Sequence, residues 1–227
     1  MGEQVTFASN GDTADGYLAV PGAGSGRGVI VIQEWWGLVP HVKDVADRFA
    51  AAGYVALAPD LYHGITATEP DEAGKLLMGL AIDRAAKDIA GAARYLGSRP
   101  ETTGERVGAV GFCMGGSLAL WSATLAPEIV AAVGFYPAVP WEKMSPDWPS
   151  YDGKAAIIHA AEGDGGPEAP GIQQARAAIE AAGGRVEVHG YPGTQHAFFN
   201  DARPEVYDAG AATAAWDRTL ALFGEAL

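Results

Sequence analysis

Cysteine is almost absent: Cys113 is the only one in 227 residues. A lone thiol cannot close a disulfide within its own chain, so an oxidising compartment gains no support, and the residue is either buried filler or chemistry. Cationic residues are scarce as well. Lys and Arg number 15 against 28 Asp and Glu, a net charge of −13, and no stretch gathers the basic residues into a patch. Such a surface suits neither nucleic acid nor an anionic membrane. No apolar run approaches membrane-spanning length, and the opening MGEQVTFASNGD has neither the basic start nor the apolar segment of a secretory signal. A cytoplasmic protein is expected. H-E-x-x-H, close-spaced His, Cys and acidic ligands, and a glycine-rich phosphate loop are all missing, which argues against a metal or nucleotide cofactor. Nothing in the sequence speaks to oligomeric state.

What is present is a large apolar fraction, 48%, enough for the core of one α/β domain spanning residues 1–227. Short Val/Ile-rich runs alternate with longer alanine-rich segments of helical period, the pattern of a mostly parallel central sheet with helices on both faces. Strands are expected at 4–9, 16–20, 28–33, 55–58, 107–111, 131–136, 155–161 and 185–189, the first two pairing as an antiparallel edge. Val42, Val45 and Phe49 mark one helix, stopped by Gly53. Ile82, Ala85, Ile89, Ala92 and Leu96 mark another, running to Gly97. Further helices are expected over 117–126, 172–182 and 204–223, the last with Pro204 at its start. The irregular stretch from Val139 to Asp152 reads as a loop over the surface or a pocket.

After the strand V-G-A-V come Gly111, Phe112, Cys113, Met114, Gly115 and Gly116, followed by the helical S-L-A-L-W-S-A. A G-x-C-x-G turn between strand and helix is the arrangement of a nucleophile elbow, whose tight turn admits only small residues on either side of the reactive one. A side chain there stands above the sheet near a helix N-terminus, where the local field favours a thiolate and an oxyanion. The bland alternative, a packed cysteine between linking glycines, leaves the later residues unexplained. In the α/β-hydrolase fold an acid and then a histidine follow the nucleophile, each on a loop after a strand. Asp164 follows the strand K-A-A-I-I-H-A-A, and His196 follows V-E-V-H-G-Y on the last loop before the final helix. His41, His63, His159 and His189 are read as packing or surface residues. The imidazole would take the thiol proton and return it to a leaving alkoxide, with the carboxylate holding the ring.

The strand G-V-I-V-I-Q runs into Glu34, Trp35, Trp36 and Gly37, where this fold carries its oxyanion loop. Together with A-P-D-L-Y at 58–62, G-F-C-M-G-G at 111–116, Asp164, and H-A-F-F-N-D with R-P at 196–204, these residues resemble the dienelactone hydrolase family over nearly the whole chain. The resemblance implies that the backbone N–H groups of Trp35 and Met114 hold the oxyanion. It also implies that Glu34 approaches Cys113 and takes part in generating the thiolate. Trp35, Trp36 and Tyr136 are expected to border the substrate, and Asp60 to be structural. The dienelactone-degrading members bind a substrate carboxylate with arginines. Here Asn200 takes one such place, and Lys75 is the only basic residue over 66–80, so a neutral ester or lactone with an apolar or aromatic acyl group is the expected substrate. The competing expectation is a non-hydrolytic ligand binder, or an oxidant sensor working through Cys113. A sensor would have no use for a proton shuttle.

Overall fold

The computed structural model describes residues 2–138 and 141–227, residue 142 without its side chain. Eight strands form one sheet: β1 (Glu3–Ser9), β2 (Asp12–Ala19), β3 (Gly26–Ile32), β4 (Tyr54–Pro59), β5 (Thr102–Phe112), β6 (Ile129–Phe135), β7 (Ala155–Ala161) and β8 (Arg185–Tyr191). Their spatial order is β1-β2-β4-β3-β5-β6-β7-β8. β1 and β2 make the expected antiparallel edge, and from β3 to β8 every pairing is parallel. The central strands are apolar on both sides because both faces are covered. Ile30 and Ile32 of β3 face one core while Val29 and Val31 face the other. β5 starts earlier than its apolar run, at Thr102, since a register shift lets Thr102 pair with Gly26.

The helices are α1 (Pro40–Ala51), α2 (Pro70–Gly79), α3 (Ile82–Ser98), α4 (Met114–Ser122), α5 (Pro170–Ala181) and α6 (Ala209–Ala226). α1 and α6 cover one face of the sheet through Val45, Phe49, Ala215 and Phe223. α3, α4 and α5 cover the other through Ile89, Leu118 and Ile179. Among the described residues no helix is long and apolar enough to cross a membrane.

Several helix boundaries differ from the sequence reading, most at α4 and α6, and α2 is absent from that reading. α4 begins at Met114 and ends at Ser122, where 117–126 is expected, because the glycines at 115 and 116 belong to its first turn. α6 begins at Ala209 and not at Pro204: residues 203–207 form a turn of their own, and the Asp208 side chain accepts from the Ala211 amide at 2.8 Å. A side-chain cap of this kind is worth about 1 kcal/mol, enough to set the start where Pro204 does not. α2 has no strong apolar stripe to announce it, since Ala73 is its one buried residue. The irregular stretch expected from Val139 begins at two positions outside the described residues; its remainder holds two single-turn 3-10 helices, Trp141–Lys143 and Trp148–Tyr151.

The chain runs from β3 outward to β4 and returns to place β5 on the other side of β3. In open parallel sheets such a reversal leaves a crevice at the carboxyl ends of the strands, and here it lies between the ends of β3 and β5.

Candidate active site

Cys113 occupies the single position between β5 and α4, with φ 56° and ψ −122°. Backbone of that kind costs a non-glycine residue about 1–3 kcal/mol and survives only where its surroundings hold it. Three glycines supply the hold. A Cβ on Gly111 would lie 2.0 Å from the Gly115 carbonyl oxygen, one on Gly115 2.3 Å from that of Gln33, and one on Gly116 2.7 Å from that of Phe135. The Cys113 amide also donates to the Phe135 carbonyl at 3.1 Å, tying the turn to β6. The G-x-C-x-G-G pattern is therefore a record of backbone packed on backbone, with Cys113 as a residue 8% exposed.

Asp164 ends a 3-10 turn directly after β7, and His196 sits on the loop after β8. The two strands are parallel neighbours, Ala161 opposite Tyr191, so the loops leave the sheet side by side. They are also laced together: Gly163 donates its amide to the Thr194 carbonyl at 2.9 Å, and Gly193 donates to the Glu162 carboxylate at 2.6 Å. His196 Nδ1 consequently meets Asp164 Oδ2 at 2.7 Å, with 36% of each side chain exposed. Burial, the largest influence on His196, works to lower its pKa. Hydrogen bonds to Asp164 and Cys113, with the charges of both, outweigh it and raise the value to about 10. Beneath the loop, Phe198 and Phe199 are fully buried and pack against Tyr191 and Phe135, with ring centroids 4.8 and 4.9 Å apart.

Glu34 is 3% exposed just past the end of β3. Its two oxygens accept from the Tyr136 hydroxyl at 3.3 Å and from Asn200 Nδ2 at 3.0 Å. Burial chiefly, then the charges of Glu34 and Cys113, raise the pKa of Tyr136 well above the ordinary value. Its ring also meets that of His196 edge-on at 4.9 Å. Tyr136 is buried, and so it underlies the site where the sequence suggested a pocket wall. Trp35 and Trp36 are half-buried and in T-shaped contact at 5.1 Å. Trp36 borders a cleft of about 430 Å³ together with His41, Asn200 and Arg203. Asp60 is structural, as expected: its carboxylate accepts from the amides of Tyr62 and Gly64 at 3.1 and 2.7 Å. His159 is a core residue bonded to Tyr191 and Thr219, and burial lowers its pKa well below the ordinary value. Among the described residues no three His, Cys, Asp or Glu side chains gather as a metal site.

The sequence profile of the dienelactone hydrolase family matches residues 14–227. The chain belongs to the dienelactone hydrolase family. Membership makes it a carboxylic ester hydrolase, since a lactone is an internal ester. It is 37% identical to protein usf of Aquifex pyrophilus, with the whole of each chain covered. It is 32% identical to a protein of Aquifex aeolicus provisionally named carboxymethylenebutenolidase, over 98% of each. A solved structure of a provisionally named dienelactone hydrolase from Klebsiella pneumoniae superposes with a TM-score of 0.82 at 26% identity, over 99% of this chain and 98% of that one. This chain has the α/β-hydrolase fold.

Two features of this dienelactone hydrolase family member escape sequence reasoning. Asn200 is legible as a departure from an arginine, but its bond to Glu34 crosses 166 positions and has no local signal. Tyr62 stands in the A-P-D-L-Y motif, and only the fold shows that its hydroxyl donates to the Met114 sulfur at 3.5 Å.

Proposed function

We propose that the protein cleaves a neutral carboxylic ester or lactone through a thioester on Cys113, with His196 as proton shuttle and Asp164 holding the ring. The observation that carries this reading is the 2.7 Å contact of Asp164 with His196, on loops that leave the same edge of the sheet as a cysteine at a strained elbow. His196 takes the proton of the Cys113 thiol as Sγ attacks the carbonyl carbon, and the carbonyl electrons move to an oxygen received by the amides of Trp35 and Met114. Met114 is the first residue of α4, where the helix provides no carbonyl partner for its N–H. Such donors typically contribute a hundredfold or more to rate. The tetrahedral species collapses, His196 gives its proton to the departing alkoxide, and Cys113 is left as a thioester. Water then attacks the thioester carbonyl, His196 accepts a water proton, and the thiolate leaves with the acid released.

Glu34 in this reading acts from beneath. A buried carboxylate near a thiol opposes a second negative charge. Its bonds to Tyr136 and Asn200 hold it in the fold until a bound substrate competes for those donors. Asn200 in place of a cation leaves no fixed positive charge at that position, which favours an uncharged acyl group. The oxidant-sensor alternative leaves the Asp164–His196 pair without a task.

The test is alkylation. Iodoacetamide carried to one equivalent at Cys113 should abolish hydrolysis of p-nitrophenyl acetate in step with modification. Full turnover by completely alkylated protein would reject the cysteine as nucleophile.

A further inference from the structure

Three of the four methionines in the chain line a single cavity. Met114 comes from the first turn of α4, Met78 from the end of α2, and Met144 from the segment after β6. Leu80 and Leu118 complete the apolar wall, and the exposed Lys143 is the one charged residue along it among the described residues. The cavity holds about 100 Å³, space for roughly three water-sized groups. No side chain of the described lining offers a carboxylate, amide or hydroxyl, so apart from the exposed Lys143 what enters is recognised by burial.

We infer that this cavity receives the acyl chain of the substrate, and that the preferred acyl group is a linear, uncharged one of about four to six carbons. The inference rests on the proposed cysteine mechanism, because its geometry follows from where that mechanism puts each part of the ester. A leaving oxygen must face the imidazole that protonates it. Its opposite substituent must then point away from His196, while the carbonyl oxygen points to the amides at 35 and 114. Met114 joins the two ends of this arrangement: its amide is one of those donors, and its side chain is a wall of the cavity. Of the proposed site's residues only Met114 borders the cavity among its described lining residues, and a place away from His196 and Asp164 is what the acyl side requires.

The walls differ in firmness. Met114 is fully buried and its sulfur accepts from Tyr62, and Leu118 is locked in α4. Met78 is 79% exposed, an unusual place for a large apolar side chain. Methionine is unbranched and polarizable and adapts to irregular apolar shapes. A firm inner wall with an adaptable methionine at the rim suits a flexible chain better than a rigid ring. It also explains an exposed apolar residue on the otherwise weakly anchored α2.

The experiment is a chain-length series of p-nitrophenyl esters from acetate to decanoate on the full-length enzyme, with Met144→Phe and Met78→Glu beside the wild type. Each buried methylene should raise kcat/KM about fourfold while the cavity has room. The wild type is expected to gain about tenfold from acetate to butanoate, to hold that gain at hexanoate, and to lose it at decanoate. Met144→Phe fills the cavity and should lower the hexanoate-to-acetate ratio at least fivefold. Met78→Glu alters an exposed position where folding is not at issue, and should lower the same ratio about threefold by placing a charge beside the chain. A flat wild-type profile, or ratios unchanged in both variants, overturns the acyl-chain assignment while leaving the cysteine mechanism standing. Failure of the wild type to hydrolyse any member overturns the mechanism and the assignment together.

Discussion

Cys113→Ala and His196→Ala are each expected to lower kcat for p-nitrophenyl acetate by roughly a thousandfold or more, and the double variant is expected to be no worse than either alone. The reason is that a nucleophile and its proton shuttle act as one unit: once either is gone, the other has nothing to activate or to serve. His196 is bonded to Asp164, and Cys113 is among the groups that raise its pKa, so removing it also removes the cation that would stabilise a thiolate. Neither change should unfold the protein. His196 lies on a loop with its side chain 36% exposed. Alanine at 113 keeps a Cβ of the same size in the same turn. Steady-state kinetics with circular dichroism as a fold control reads the outcome, and a multiplicative loss in the double variant would mean the two residues serve separate processes.

Gly115→Ala should be among the most damaging single methyl groups that can be added to this chain near the site. The new carbon would stand 2.3 Å from the Gln33 carbonyl oxygen and 2.6 Å from that of Ile32, both backbone atoms that cannot swing aside. Relief requires the elbow helix to move off the end of β3. Overpacking of this kind costs about 1–3 kcal/mol. For a chain of this length that is roughly 3–10 °C in Tm. Activity should fall further than stability, because the segment pushed away carries Glu34 and Trp35. Gly97→Ala is the control: it lies inside α3, and an added Cβ meets nothing within 4 Å. It should be neutral or stabilising by a few tenths of a kcal/mol up to about 1 kcal/mol. Equal Tm values for the two variants would contradict the account of why the elbow is glycine-rich.

The sheet was readable from the sequence because each central strand is apolar on both sides, a burial requirement that a linear string displays directly. Helices were readable to the extent that they are striped. α3 shows its face in Ile82, Ala85, Ile89, Ala92 and Leu96, whereas α2 buries only Ala73 and so presents no stripe. Boundary errors came from local rules that tertiary contacts overrode. Gly115 and Gly116 look like turn residues, yet they are helical because the helix presses against β3 and β6 there. Pro204 looks like a helix start, but the turn at 203–207 uses it and Asp208 caps the helix instead.

At the site, the order of cysteine, acid and histidine could be read because each follows a strand, and adjacent parallel strands deliver their loops to one edge. The contacts that tune the site could not. Tyr136 to Glu34, Asn200 to Glu34 and Tyr62 to Met114 join residues far apart in the chain, through side chains whose types are common in any core. Tyr136 illustrates the difference: its place at the end of β6 is plain in the sequence, while its contacts with Glu34 and His196 depend on a backbone with φ 38° that no motif announces.

The most direct measurement is mass spectrometry of protein quenched in acid during turnover of p-nitrophenyl butanoate. A butanoyl group should appear on the peptide that contains Cys113, released by hydroxylamine at neutral pH as thioesters are, and should be missing from Cys113→Ala. An acyl group found on another residue, or equal labelling of the alanine variant, would contradict the cysteine mechanism outright.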